Sequence, residues 1–294
     1  MLIASVENQT GNNHAPIRFG VIGTCRVHNP MRSLIDQGRA EMIWREFNAF
    51  THGPMEALQY LRFARGDVQV PDPFAPFIFR TDRAPDVESR LADIMKTLDF
   101  LIVEISSFAR LRCGMYEFQQ NYFSENFVRK GGVDFLSWWR DVTQRKDTVS
   151  ETADELIGKR RDDLKPSDEE IIRTLTFEEL ADDVFVAGIR KVADYSGLPI
   201  ILVPHFSFDD EDNAISNQRT RNRRLVEQVA SETGHACFDP SPHLMAYGRK
   251  KALKNEGRDL YHYSPEFDAH IADHLYEKIA EVASAEHKPS AAAV

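Results

Sequence analysis

The chain is poor in cysteine, in long apolar runs and in positive charge. Its 294 residues hold three cysteines, Cys25, Cys113 and Cys237. An odd, small number without paired spacing excludes a disulfide scaffold and reads as reduced thiols. No apolar stretch approaches the ~18 residues needed to cross a bilayer. The start, MLIASVENQTGNN, lacks a positive segment and carries only a very short apolar run, so it does not read as a signal peptide. Together these absences predict a cytoplasmic protein. Lys and Arg total 36 against 46 Asp and Glu, a net charge of −10. Nucleic acid requires a concentrated basic surface, so it is not an expected partner. The basic stretches at 219–224 and 248–254 read as solvated helix faces; the first could instead meet the phosphates of an acyl donor. No internal repeat is visible.

What is present is an ordinary soluble composition, 42% apolar and 28% charged. This length makes one large domain, or one domain with an insertion. The run IRFGVIGT (17–24) reads as a first strand closed by Gly23. Asn29 and Pro30 suit the cap and first position of a helix that stops at Gly38. A second strand lies within 40–50, followed by the turn NAFTHGP. Residues 84–98 carry Val87, Leu91, Ile94 and Leu98 at helical spacing, and 99–107 form a strand. Thr176 and Glu179 supply a capping-box pattern for a helix over 176–196, with Gly197 as its stop. Strands at 198–206 and in HACFDPS flank another helix. The last helix opens with Ser264 as cap and Pro265 as first residue.

This alternation predicts a three-layer α/β domain over 16–284, with about five parallel strands covered on both faces. Residues 1–15 and 285–294 read as flexible. Residues 108–175 interrupt the pattern as a helical insertion rich in aromatics. Those rings either fill a small core of their own or form a lid, a substrate platform or a homo-oligomer surface. In such sheets ligands gather at the carboxyl ends of strands. That rim holds Thr24 and Cys25, the stretch from Asn48 to Gly53, Ser106, Ser107 and His205.

Cys25 sits where a strand turns into a helix, and N–H groups there favour an anion. Arg26 and His28 lie close in sequence, and both are expected to lower the thiol pKa. Asp259 and His262, three apart before the last helix, suit an Asp that orients a His base. Asp239 is a reserve for that role. His270 and His274 could suggest zinc with them, but their phase places them toward solvent, and no metal is expected.

With Gly23-Thr24-Cys25 at the first strand end and D-x-x-H before the last helix, the chain resembles the SGNH (GDSL-like) hydrolase superfamily. The cysteine is similar to the Gly-x-Cys of its GSCFA-type and capsule-biosynthesis branches. The resemblance implies a flavodoxin-like fold and acyl-ester chemistry on a carbohydrate or polysaccharide precursor, catalysed by Cys25, His262 and Asp259. No cofactor is required; an acyl-CoA is a candidate donor. The family's oxyanion glycine would be Gly53. Its Gly-x-Asn-Asp block is missing: the matching strand end reads VEISSFAR. Ser106, Ser107 or Asn48 would have to substitute, with Arg26, His28 and His205 beside the substrate. Losing one such donor costs about 10²–10³ in rate. A non-catalytic glycan-binding protein on the same fold is therefore the alternative, and a redox thiol protein is a third.

Overall fold

The computed structural model describes residues 2–7, 16–44, 50–85, 90–208 and 214–286. Its strands are β1 (Leu2–Val6), β2 (Ile17–Ile22), β3 (Glu41–Trp44), β4 (Phe100–Ile105), β5 (Ala109–Cys113), β6 (Tyr116–Phe118), β7 (Leu175–Glu179), β8 (Ile200–Pro204) and β9 (Ala236–Cys237). The main sheet runs β3-β1-β2-β4-β8-β9. Strands β2, β4, β8 and β9 are parallel, whereas β1 lies antiparallel to both of its neighbours. The sheet is thus mixed and six-stranded, not purely parallel. The correction comes from residues 2–6, which were expected to be loose. All five are buried, and they pair on both edges.

Five helices cover this sheet: α1 (Cys25–Asp36), α2 (Pro54–Ala64), α3 (Asp182–Ser196), α4 (Ala214–Thr233) and α5 (Pro265–Glu286). Successive strand residues point to opposite faces. Phe100 and Ile102 pack with Met31 and Leu34 of α1 and Phe267 and Ile271 of α5. Leu101, Val103 and Ile105 pack with α2, α3 and α4 through residues such as Leu61, Ile189 and Val226. These are the three layers expected. Ser264 caps α5 as its sequence predicts, its Oγ accepting the N–H of Phe267 at 3.2 Å. That helix continues through Glu286, past the expected boundary at 285; residues 287–294 lie outside the described residues.

Two helix boundaries differ from expectation. The first helix begins at Cys25, not after Asn29, because Thr24 caps it by accepting the Arg26 N–H. Residues 175–179 form β7 rather than a helix start, and the helix opens at Asp182. Pairing of β7 with β5 overrides the local capping pattern. Arg110 of β5 reinforces that pairing with an ion pair to Glu178, and pairs on its other side with Glu117 of β6.

The insertion is accordingly not all helical. It holds a second sheet, β6-β5-β7, beside helices at 120–160 and 166–174. Its aromatics fill a core. Phe77 meets Phe118, Phe123 and Phe127 at ring separations of 5.2–5.6 Å. Trp138 is buried against Phe123 and Phe127. This cluster is continuous with the α2–α3 side of the main core.

Candidate functional site

Site construction begins at Gly23. Its φ is +153°, and a Cβ there would lie 2.6 Å from the Glu104 Cβ and 2.8 Å from Val27 Cγ2. Only glycine permits the turn to pass this close to β4. Gly23→Ala is expected to cost about 1–3 kcal/mol in stability, measured by urea unfolding, and to displace Cys25.

Glu104, in the buried β4, holds the turn. Its Oε2 accepts from the Thr24 N–H at 2.7 Å and the Thr24 hydroxyl at 2.6 Å. Its Oε1 accepts from Arg26 Nε at 2.7 Å and Nη2 at 2.6 Å. Arg26 Nη1 also donates to the Tyr261 carbonyl at 3.3 Å, tying the cysteine turn to the segment carrying His262. Cys25 is half-buried at the first position of α1. Its own N–H meets no acceptor among the described residues.

On the opposite segment, Asp259 Oδ1 accepts the N–H groups of Tyr261 and His262 at 2.9 and 3.2 Å. Its Oδ2 lies 2.9 Å from His262 Nδ1. Burial would raise the Asp259 pKa, but the Tyr261 N–H and the His262 contacts outweigh it and hold the carboxyl below its usual range. The carboxylate accepts a hydrogen bond from Nδ1–H, which leaves the Nε2 lone pair as the basic site. Asp239 plays no such part: it caps the helix Ser241–Tyr247, accepting from the Ser241 N–H and hydroxyl.

A cavity of about 690 Å³ joins the two segments, with Cys25 and His262 both in its wall. Arg26, His52, Ser106, Ser107, His205 and Arg219 line it too. The strand-rim expectation therefore places Cys25, Ser106, Ser107 and His205 together with the distant His262.

Several expected roles change. Burial pushes the Cys25 thiol up, and the attraction of Arg26 is offset by Glu104. The expected lowering of its pKa is overturned, because Arg26 is already neutralised. His28 does not line the cavity. It is buried edge-on against Phe50, and burial lowers its pKa to about 3. Gly53 is absent from the cavity wall. The Ser106 and Ser107 N–H groups are spent on the His52 carbonyl at 2.7 and 3.0 Å. His205 donates Nδ1–H to the Phe206 carbonyl at 2.9 Å, and burial lowers its pKa well below the ordinary value. Asn48 lies outside the described residues. His270 and His274 stack among Tyr247, Phe267 and His243, and no metal-holding cluster occurs among the described residues. Neither Cys113 nor Cys237 lines the cavity with Cys25.

Sequence reasoning placed His52 only within the 48–53 rim and missed its role. Gln119 Oε1 accepts the Tyr122 N–H at 2.6 Å, which turns its Nε2 toward His52 Nδ1 at 3.1 Å. That ring nitrogen must accept, so the proton sits on Nε2. Burial, with Arg26 adding to it, lowers the His52 pKa to about 4, which keeps this tautomer neutral.

Glu56 was also missed. It caps α2 by accepting the His52 N–H at 2.8 Å, and burial raises its pKa to about 8. The folded chain therefore holds a proton that the unfolded chain releases near pH 4.5. Between those two values the unfolded state binds fewer protons, so stability falls as pH rises. Glu56→Gln should flatten this slope, matching the parent near pH 5 and melting higher above about pH 8. A melting-temperature series against pH checks it.

A profile of the TviD N-terminal domain matches residues 17–278. The chain belongs to the TviD N-terminal domain family. Membership in the TviD N-terminal family fits the capsule-biosynthesis branch that the Gly-x-Cys turn resembles. The Vi polysaccharide biosynthesis protein TviD of Salmonella typhi is 25% identical over 265 residues, covering 85% of this chain. The chain spans 30% of that relative's length. Among solved structures, mutants of Axe2, an acetyl-xylooligosaccharide esterase of Geobacillus stearothermophilus, align with 14% identity and a TM-score of 0.37. That alignment covers 89% of this chain and 93% of the other. LAE5, an alpha/beta hydrolase from the Lake Arreo metagenome, aligns with 13% identity over 90% of this chain and 94% of its own, with a TM-score of 0.32. No helix among the described residues is long and apolar enough to cross a membrane.

Proposed function

We propose that this chain is an acyltransferase or esterase acting on a polysaccharide or its precursor, with Cys25 as nucleophile. The observation that supports the reading is the shared cavity: a thiol at a helix N-terminus and an Asp-oriented imidazole both line it. The relative's name, a polysaccharide biosynthesis protein, supports the substrate class.

In this mechanism His262 Nε2 takes the Cys25 proton as the sulfur attacks the acyl carbonyl. Asp259 stabilises the imidazolium and fixes its orientation. The Cys25 N–H and the neutral His52 Nε2–H stabilise the oxyanion, His52 standing in for the missing Asn. His262 then protonates the departing alkoxide or thiolate, leaving a thioester on Cys25. An acceptor hydroxyl, deprotonated by His262, attacks the thioester and regenerates the thiol. Acyl-CoA is a suitable donor, because thiolates exchange readily with thioesters.

One observation favours the alternative, a non-catalytic glycan-binding protein. Gly53 does not line the cavity and the N–H groups of Ser106 and Ser107 are engaged, which thins the oxyanion site. Intact mass after incubation with acetyl-CoA or 4-nitrophenyl acetate separates the two readings. A single acetyl adduct, absent in Cys25→Ala, supports the enzyme. No adduct, with glycan binding that survives Cys25→Ala, supports the binding protein.

A further inference from the structure

Arg219, on α4, is an unusual lining residue. It is only 5% exposed, yet it has no ion-pair partner among the described residues. Its Nη2 donates to the Leu260 carbonyl at 2.6 Å. The guanidinium carbon lies 4.9 Å from the Phe206 ring centre and 5.3 Å from that of Tyr261. Those contacts fix the plane of the group. Nη1 is buried and meets no acceptor among the described residues.

The other two guanidinium groups of the cavity are balanced. Arg26 is paired with Glu104, and Arg80 with Glu125. Burying a charge without a partner is costly, and a retained unpaired charge in a cavity marks a place where the partner arrives with a ligand. Burial and the repulsion of Arg26 already lower the Arg219 pKa to about 10, which is the signature of an uncompensated cation. A preset guanidinium fork with one arm free suits a planar or tetrahedral oxyanion.

We propose that Arg219 is an anion-binding residue that receives one carboxylate or phosphate oxyanion of the substrate in the Cys25 cavity. The inference rests on the acyl-transfer reading for its substrate but not for its test. The oxyanion has two sources: the carboxylate of an acidic sugar acceptor, or a phosphate of a nucleotide-bearing acyl donor. Among the described residues Arg219 is the one cavity guanidinium without an ion-pair partner, which provides for one such group.

Calorimetry with two matched pairs of probes tests the proposal. Methyl glucuronoside is compared with methyl glucoside, and adenosine 3′,5′-bisphosphate with adenosine. The charged member of one pair should bind about tenfold or more tightly than its neutral partner. Arg219→Met should erase that difference and leave the neutral member unchanged. Arg219→Lys, which keeps the charge and loses the fork, should retain part of it. A preference within the sugar pair alone assigns the acceptor carboxylate; one within the nucleotide pair alone assigns the donor phosphate. Equal affinities within both pairs in the unaltered protein overturn the proposal, whether or not the variants fold. So does a preference that persists undiminished in a folded Arg219→Met. Acetyl adduct formation on the unaltered protein is recorded alongside. Its absence removes the acyl-transfer reading without touching the charge preference.

Discussion

Replacing His262 with alanine should lower ester turnover at neutral pH by about 10²–10⁴-fold, and alkali should restore much of the loss. The argument rests on where the thiol proton can go. Burial raises the Cys25 pKa, so little thiolate exists at neutral pH. Arg26 cannot offset this because Glu104 holds its charge. His28 is sealed on the other side of the turn, and His205 is engaged with the Phe206 carbonyl. The nitrogen left to act as base in the cavity is His262 Nε2, set by the contact of Nδ1 with Asp259. Without it, attack must wait for spontaneous ionisation, which increases with pH. The parent profile should therefore be flatter than that of His262→Ala above neutrality. Rates of acetyl release from 4-nitrophenyl acetate across that range decide the matter. A variant as fast as the parent at neutral pH, or one whose deficit does not shrink in alkali, rules out the base role.

Glu104→Gln should cost about 3–5 kcal/mol of stability. The side chains of Glu104 and Arg26 are 0% and 8% exposed, so the pair lies beyond effective solvent screening. Neutralising the carboxylate leaves Arg26 charged in the interior and weakens both bonds to Thr24. The same change loosens the Arg26 link to the Tyr261 carbonyl, and with it the spacing between thiol and imidazole. Adding Arg26→Met to Glu104→Gln should recover part of the stability, since the uncompensated charge is then gone, but not the adduct. Urea unfolding of the two single variants and the double variant gives the coupling directly. A loss below about 1 kcal/mol in Glu104→Gln would show that the pair behaves like one at the surface.

The layered fold and the ends of the site were legible because their signals are local. Gly23-Thr24-Cys25 closes an apolar run, and Asp259 and His262 precede a helix whose cap and first proline are plain. Other parts depend on long-range pairing. Residues 2–6 give only a short apolar run, and their strand character comes from β2 on one side and β3 on the other. Thr176 and Glu179 spell a helix cap until β5 claims the segment. Glu104 did leave a trace, a single charge inside a buried apolar run, which requires a partner. Its partners are Thr24 and Arg26, some eighty residues away, so spacing could not name them. The His52 tautomer depends on Gln119 and Tyr122 from the insertion, whose approach to the main sheet no periodicity encodes.

The wall of the cavity formed by Gln119, Tyr122 and Glu125 comes from the insertion, whereas the sulfur and imidazole stand on the ends of the main sheet and its last helix. In the proposed reaction the insertion thus bears on both substrate choice and the His52 donor, since Gln119 and Tyr122 hold that ring. Side chains at 120, 121 and 125 are the positions at which the accepted molecule could be retuned without altering Cys25.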